Sequence, residues 1–266
     1  MRRTGREVGK QTLAYALSVL ALLGLWQLLS WLFQLTLDPR MARVLPGPLE
    51  ALMVFPAHWR EIGNHLLGTA ARLLVGLAIS LLLAVPLGLV TGHEPALRRL
   101  LSPLIYTTYP IPKVVFWPIL FVLLGVGSEL SKISFVVLVV FFQLLVSARD
   151  AAANLPRDYV LSALAAGLSR VQIYWHVVLP GALPAVFTGL RISLGLGIFA
   201  VYIAETAVRL GARRYAGLGS YINDSFGLFR FESVFAGILA IGLLGLALYG
   251  LIELLERWLC RWKYLR

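Results

Sequence analysis

Six apolar runs dominate what this chain can fold into: Leu13 to Leu37, Leu66 to Val90, Leu101 to Leu124, Leu130 to Ala148, Leu183 to Val208 and Val234 to Leu255. Each approaches or exceeds the ~20 residues that a helix needs to cross a hydrocarbon core. Backbone polar groups find no water there, so an apolar run of this length crosses as a helix. Composition agrees, with 59% of residues hydrophobic and only 14% charged, against about 25% charged in soluble domains. The reading is an all-α integral membrane protein of six transmembrane helices. Residues 1–266 show no repeat and no low-complexity linker, so they are read as a single transmembrane domain.

An even number of spans puts both termini on one side. Thirteen Lys and Arg fall in segments on that side and seven on the other, which makes the N and C termini cytoplasmic. The net charge of +11 is then a topology signal and an attraction to anionic membrane lipid, not a mark of nucleic-acid binding. The first run is not followed by an A-x-A-like cleavage site and is read as a retained signal anchor. A lone cysteine, Cys260, excludes intramolecular disulfides and cysteine metal clusters.

Some runs are marked by helix breakers. In the third, Pro103, Pro110, Pro112 and Pro118 crowd around Lys113 in "YTTYPIPKVVFWP". Broken helices at membrane depth are tolerated where protein or a water-filled cavity satisfies the freed backbone, so this stretch is expected to line a pathway. Pro86 and Gly88 predict a kink near the inner end of the second run. Leu49 to Phe55 predict a short amphipathic helix on the outer face, and "YAGLGSYI" a second interfacial helix. The turn "GVGSELSK" lacks the G-K-[ST] ending of a phosphate-binding loop, and no such loop occurs elsewhere.

Residues 149–182 are the least membrane-like part of the centre. Arg149, Asp150, Asn154, Arg157, Asp158, Arg170 and His176 recur too closely for a span, so the segment is read as a cytoplasmic connector. Pro156 suits a helix start and Asp158 favours its N-terminal dipole. Ala163, Ala166 and Gly167 put small residues on one face, a surface that another protein approaches closely. Gly167 permits a turn, Ser169 caps "RVQIYWHVV", and Pro180 and Pro184 are expected to reset the chain direction before the fifth span.

The stretch "SALAAGLSRVQIYWHVVLPGALPAVFTGLRISLG" resembles the coupling motif of binding-protein-dependent ABC transporter permeases, written E-A-A, three residues, G, nine residues, I, any residue, L-P. Ala163, Gly167, Leu179 and Pro180 occupy matching positions, and Val177 stands where isoleucine is usual. Leu161 replaces the glutamate and Ser162 the first alanine. "VLPGP", the proline-rich third run, "FTGLRISLG" and "VFAGILAIGLLG" resemble the corresponding segments of importer permeases of the nitrate, sulfonate and taurine type. The likeness extends over nearly the whole chain after Leu45.

What the resemblance implies is a type I ABC importer permease in the bacterial cytoplasmic (inner) membrane. It implies a homodimer with a second copy of the permease, a cytoplasmic ABC ATPase dimer that binds ATP and Mg, and an external solute-binding protein docked on the outer interfacial helix and the Arg209 to Ser233 loop. The chain itself is expected to hold no cofactor and no metal. Asp158, Leu161, Ala163, Gly167, Leu179 and Pro180 are its candidate ATPase-coupling residues; with Leu161 in place of an acid, the docking is expected to be more apolar than usual.

Charged residues inside spans are costly, roughly 2.5–3.5 kcal/mol at a helix centre, and are therefore functional candidates. Arg72, Lys113, Arg191 and Glu205 qualify, with Tyr109 beside them; Lys132 is placed too near the outer turn. Three cations to one acid suit a small anionic solute of the nitrate, sulfonate, taurine or bicarbonate class, with a neutral vitamin precursor as the alternative substrate. Structural roles compete: Arg72 snorkelling to headgroups, Arg191 on lipid phosphate, Glu205 paired with Arg209. Tyr106, Tyr109, Phe116 and Trp117 are either a gate or packing. His58, Glu61 and His65 share a helical face, more simply a polar surface than a metal site. No nucleophile with a partner base is visible, which disfavours a membrane enzyme with catalytic residues of its own. An ATPase-independent channel or secondary transporter is the other class, and the connector argues against it.

Overall fold

The computed structural model describes residues 5–38, 41, 43–206 and 217–264; their regular structure is all helical, with no strand among them. The helices are α1 (Gly5–Thr36), α2 (Pro48–His93), α3 (Pro95–Thr108), α4 (Trp117–Leu123), α5 (Glu129–Ala153), α6 (Arg157–Ala165), α7 (Arg170–Ile173), α8 (Leu179–Thr206), α9 (Leu218–Gly227) and α10 (Phe231–Leu259). Five helical stretches are long and apolar enough to span a membrane. A sixth span is the pair α3 and the helical stretch Lys113–Leu123, bent by 81°. The break falls at the proline cluster, because Pro110 and Pro112 remove two donors in succession.

Helix α2 begins as the expected outer helix and runs on into the second span. Its backbone leaves helical angles at His58 (φ −122°, ψ 24°) and not at Pro86, so the kink expected at Pro86 and Gly88 is corrected to the junction of the outer helix with the span. Gly88 serves packing instead: a Cβ there would strike Ala148 and the Leu145 carbonyl of α5.

The chain forms two compact units, residues 1–63 with 221–239, and residues 64–220 with 240–266. In the first, Trp26 stacks on Phe235 with centroids 5.4 Å apart and donates its indole N–H to the Pro46 carbonyl. Ser30 bonds the Leu45 carbonyl, so α1 and the start of α2 are tied through "VLPGP". In the second, α5 and α8 pack along each other around Phe135, Val140, Leu144, Leu190 and Leu194. Gly189 lets α8 approach Ser147. Many leucines point outward, as on α1, which suits helices solvated by lipid.

Candidate coupling segment and membrane-embedded charges

The connector folds as two short helices about a glycine turn. Helix α6 ends in a Schellman motif: Leu168 N–H donates to the Ala163 carbonyl at 3.1 Å and Gly167 N–H to Leu164 at 2.9 Å. Gly167 takes φ +79°, and a Cβ there would meet open space. Glycine is needed for its backbone angle, not for a close neighbour. Ser169 then caps α7 in a full capping box with Gln172.

The chain does not break at Pro180. A π turn at Tyr174–Val178 follows α7 and leads without interruption into α8. Its wider hydrogen-bond spacing absorbs the donor that Pro180 lacks. The direction change expected at Pro180 and Pro184 is therefore corrected: from Arg170 onward, the second half of the connector and the fifth span are one continuous helix.

Ala163 faces inward, in a small core with Leu89, Ile173, Val178 and Ala182. Asp158, Ser162 and Gly167 are exposed, and Leu179 and Pro180 half-buried. The outward apolar surface comes from Tyr159, Leu161, Leu164, Val171 and Trp175, with Leu161 59% exposed. A shallow groove beside it is lined by Tyr159, Ser162, His176, Pro180 and Trp262. Tyr174 donates its hydroxyl to Glu94 at 3.3 Å and meets the His93 ring edge-on at 5.0 Å, fastening the π turn to the C-terminal end of α2.

Each candidate charge inside the spans is engaged by other groups of the chain. Arg72 does not reach for headgroups; its side chain is 3% exposed. It donates from Nη1 to Glu205 at 2.6 Å, and from Nε and Nη2 to Glu129 at 2.6 and 2.8 Å. Two carboxylates at charge-assisted distance outweigh snorkelling. Lys132, far from irrelevant, is buried and bonded to Glu129 at 2.9 Å. Glu205 further accepts from Thr69 Oγ1 and from Gly219 N–H, both at 2.9 Å. Thr69 Oγ1 accepts from Leu218 N–H at 2.8 Å, so this cluster caps the N-terminus of α9. Arg209, the partner expected for Glu205, lies outside the described residues.

Arg191 binds Glu256 at 2.5 Å, and Glu256 also accepts from Lys263 at 2.8 Å; the carboxylate of α10 replaces the lipid phosphate expected there. Lys113 donates to the carbonyls of Thr108, Tyr109 and Ile111 at 2.6, 3.1 and 2.8 Å, backbone groups at the break. Tyr109 donates its hydroxyl to Gln143 of α5 at 2.9 Å. Trp117 is packing, set against Phe121 and Phe135, whereas Tyr106 and Tyr109 are exposed.

Of the three candidate cations, Arg72 and Arg191 thus meet carboxylates and Lys113 meets backbone carbonyls. Glu129, Lys132, Thr69 and Glu256 were the missing members; Glu129 and Lys132 carry the i, i+3 spacing that signals a pair. His58 and Glu61 approach within 3.3 Å, His65 turns to the Gly217 carbonyl at 3.0 Å, and no group of three metal-ligating side chains forms among the described residues.

Residues 84–261 match the family model described as the binding-protein-dependent transport system inner membrane component. The taurine transport system permease protein of Escherichia coli (strain K12) is 31% identical, over 94% of this chain and 88% of that protein. The formylaminopyrimidine transport permease protein of Halalkalibacterium halodurans is 30% identical, over 83% of this chain and 86% of that protein. Among solved structures, the inward-facing methionine ABC transporter MetNI matches with a TM-score of 0.59 at 18% identity, over 77% of this chain and 97% of that chain, a likeness of fold.

Proposed function

The chain belongs to the family of binding-protein-dependent transport system inner membrane components, a multi-pass inner-membrane permease of an ABC importer that leaves ATP hydrolysis to a separate subunit, and we propose how it couples and what it carries. In this reading the connector from Asp158 to Pro180 seats in a cytoplasmic ATPase that uses ATP and Mg. Both termini face the cytoplasm, a second copy completes the translocation unit, and an external binding protein delivers the solute.

The observation that carries the coupling role is the unbroken helix from Arg170 to Thr206. An ATPase pulling on Trp175 moves the fifth span with it as a rigid body, and a pull on Leu161 and Leu164 of α6 reaches the same helix through the core that Ala163 shares with Ile173, Val178 and Ala182. Apolar contacts replace the ion pair that an acid at position 161 provides in the motif. Burying Leu161 and Leu164 in a partner contributes roughly 1.5–3 kcal/mol each. The double substitution Leu161→Arg with Leu164→Arg leaves the permease folded but abolishes co-purification with the ATPase and ATP-driven uptake in proteoliposomes. Retention of both would refute the coupling role.

The cargo we propose is a small anionic solute of the nitrate, sulfonate, taurine or bicarbonate class. Support comes from the 31% identity to a taurine permease; the charges inside the spans, engaged by other groups of the chain, add none. A neutral vitamin precursor is the second reading, favoured by the formylaminopyrimidine permease at 30% identity. The ligand retained by the co-purified binding protein decides between them: a sulfonate or inorganic anion upholds the first, a pyrimidine the second.

A further inference from the structure

Arg149 departs from the pattern in which the embedded cations are engaged by carboxylates or, at Lys113, by backbone carbonyls. It lies at the end of α5 that leads into the connector and is 5% exposed. Only Nη2 is engaged, donating to Ser102 Oγ of α3 at 2.9 Å. Its Nε and Nη1 are buried without an acceptor among the described residues. No carboxylate lies within ion-pair distance of it there, whereas Arg72, Lys132 and Arg191 each have one. A buried guanidinium with idle donors is costly unless an anion completes it.

The surroundings supply the rest of such a site. Arg98, Ser102 and Tyr106 follow one another at four-residue intervals on α3 and so share a face. Ser102 hydrogen-bonds the Arg98 carbonyl, and the Arg98 side chain is exposed one turn away. The Tyr106 ring lies over the guanidinium at 5.0 Å. It is 61% exposed, and its hydroxyl makes no hydrogen bond among the described residues, so it can swing aside like a cover. Leu100 and Leu104, also on α3, are exposed and apolar.

We infer that Arg149, with Ser102 and Arg98, forms an oxyanion-binding site that opens when Tyr106 moves. Guanidinium and hydroxyl donors match the oxygens of a phosphate or sulfonate. Such an oxyanion comes either from the headgroup of an anionic phospholipid, whose acyl chains lie along Leu100 and Leu104, or from a small free anion.

The test measures thermal unfolding of the full-length permease in nanodiscs of phosphatidylcholine alone, then with phosphatidylglycerol, and in parallel with inorganic phosphate. Wild type gains several degrees in one arm, and the arm names the source. Arg149→Met, with no idle donors to satisfy, is at least as stable as wild type in phosphatidylcholine and gains nothing in either arm. Arg98→Gln, altered at an exposed position that the fold does not require, shows a reduced gain in the same arm; it decides the matter if Arg149→Met fails to assemble. No gain in wild type, or equal gains in wild type and both variants, would overturn the site.

Discussion

Glu205→Gln is the sharpest probe of the buried network, since it removes one charge and hardly any volume. In the wild type the Glu205 carboxylate is fully buried and accepts from Arg72, Thr69 and Gly219. Removing one partner of a buried pair costs about 3–5 kcal/mol. Here Glu129 still faces Arg72 through two hydrogen bonds, so part of the charge remains compensated and the expected loss falls to about 2–3 kcal/mol. Arg72→Met leaves Glu205 buried and uncompensated and costs more, about 3–5 kcal/mol. Combining the two removes the stranded charge, so the double variant is less damaged than the sum, with a coupling of about 2 kcal/mol. Reversible denaturation in mixed micelles, followed by tryptophan fluorescence, yields all four corners of the cycle. Additive single effects, or a Glu205→Gln variant within about 0.5 kcal/mol of wild type, would refute the proposition that this pair holds α2, α8 and the start of α9 together.

Gly217→Ala places a Cβ on the Glu205 carboxylate and is expected to cost about 1–3 kcal/mol, read in the same assay. Lys113→Met removes a donor from three carbonyls at the broken span; it is expected to lower thermal stability and maximal uptake while leaving the KM for solute unchanged, and a variant altered in KM alone would make Lys113 a solute ligand instead. The Cys260 thiol is buried, and burial, then the nearby Glu256 charge, push its pKa above the ordinary thiol value. It therefore stays protonated at pH values where an exposed cysteine ionises, and maleimide labelling rises only at more alkaline pH. Glu256→Gln removes the raising charge and loosens the Lys263 contact, so labelling at neutral pH is expected to accelerate, as measured by mass shift.

Hydropathy and charge spacing made the spans and the connector legible, because both depend on local composition. The turn at Gly167 and the cap at Ser169 were legible for the same reason, each rule operating over a few residues. Arg72 and Glu205 are 133 positions apart, and no local pattern announces that two costly charges cancel. Ala163 has the size of a contact residue, but only the packing against Ile173 and Ala182 reveals that it turns inward. Pro180 reads as a breaker in any short window; a π turn, which no residue spells out, accommodates it. Arg149 looks like one more cytoplasmic charge until the neighbours that bury it are known.

The unbroken helix from Arg170 to Thr206 also constrains timing. Its 37 residues at about 1.5 Å each make a strut of roughly 55 Å, with Ser169 at one end and Glu205, the anchor of α9, near the other. Under the proposed coupling, a movement at its foot reaches its far end within the same event, and a state in which one end has moved while the other waits would require this helix to bend, at the π turn or at Pro184.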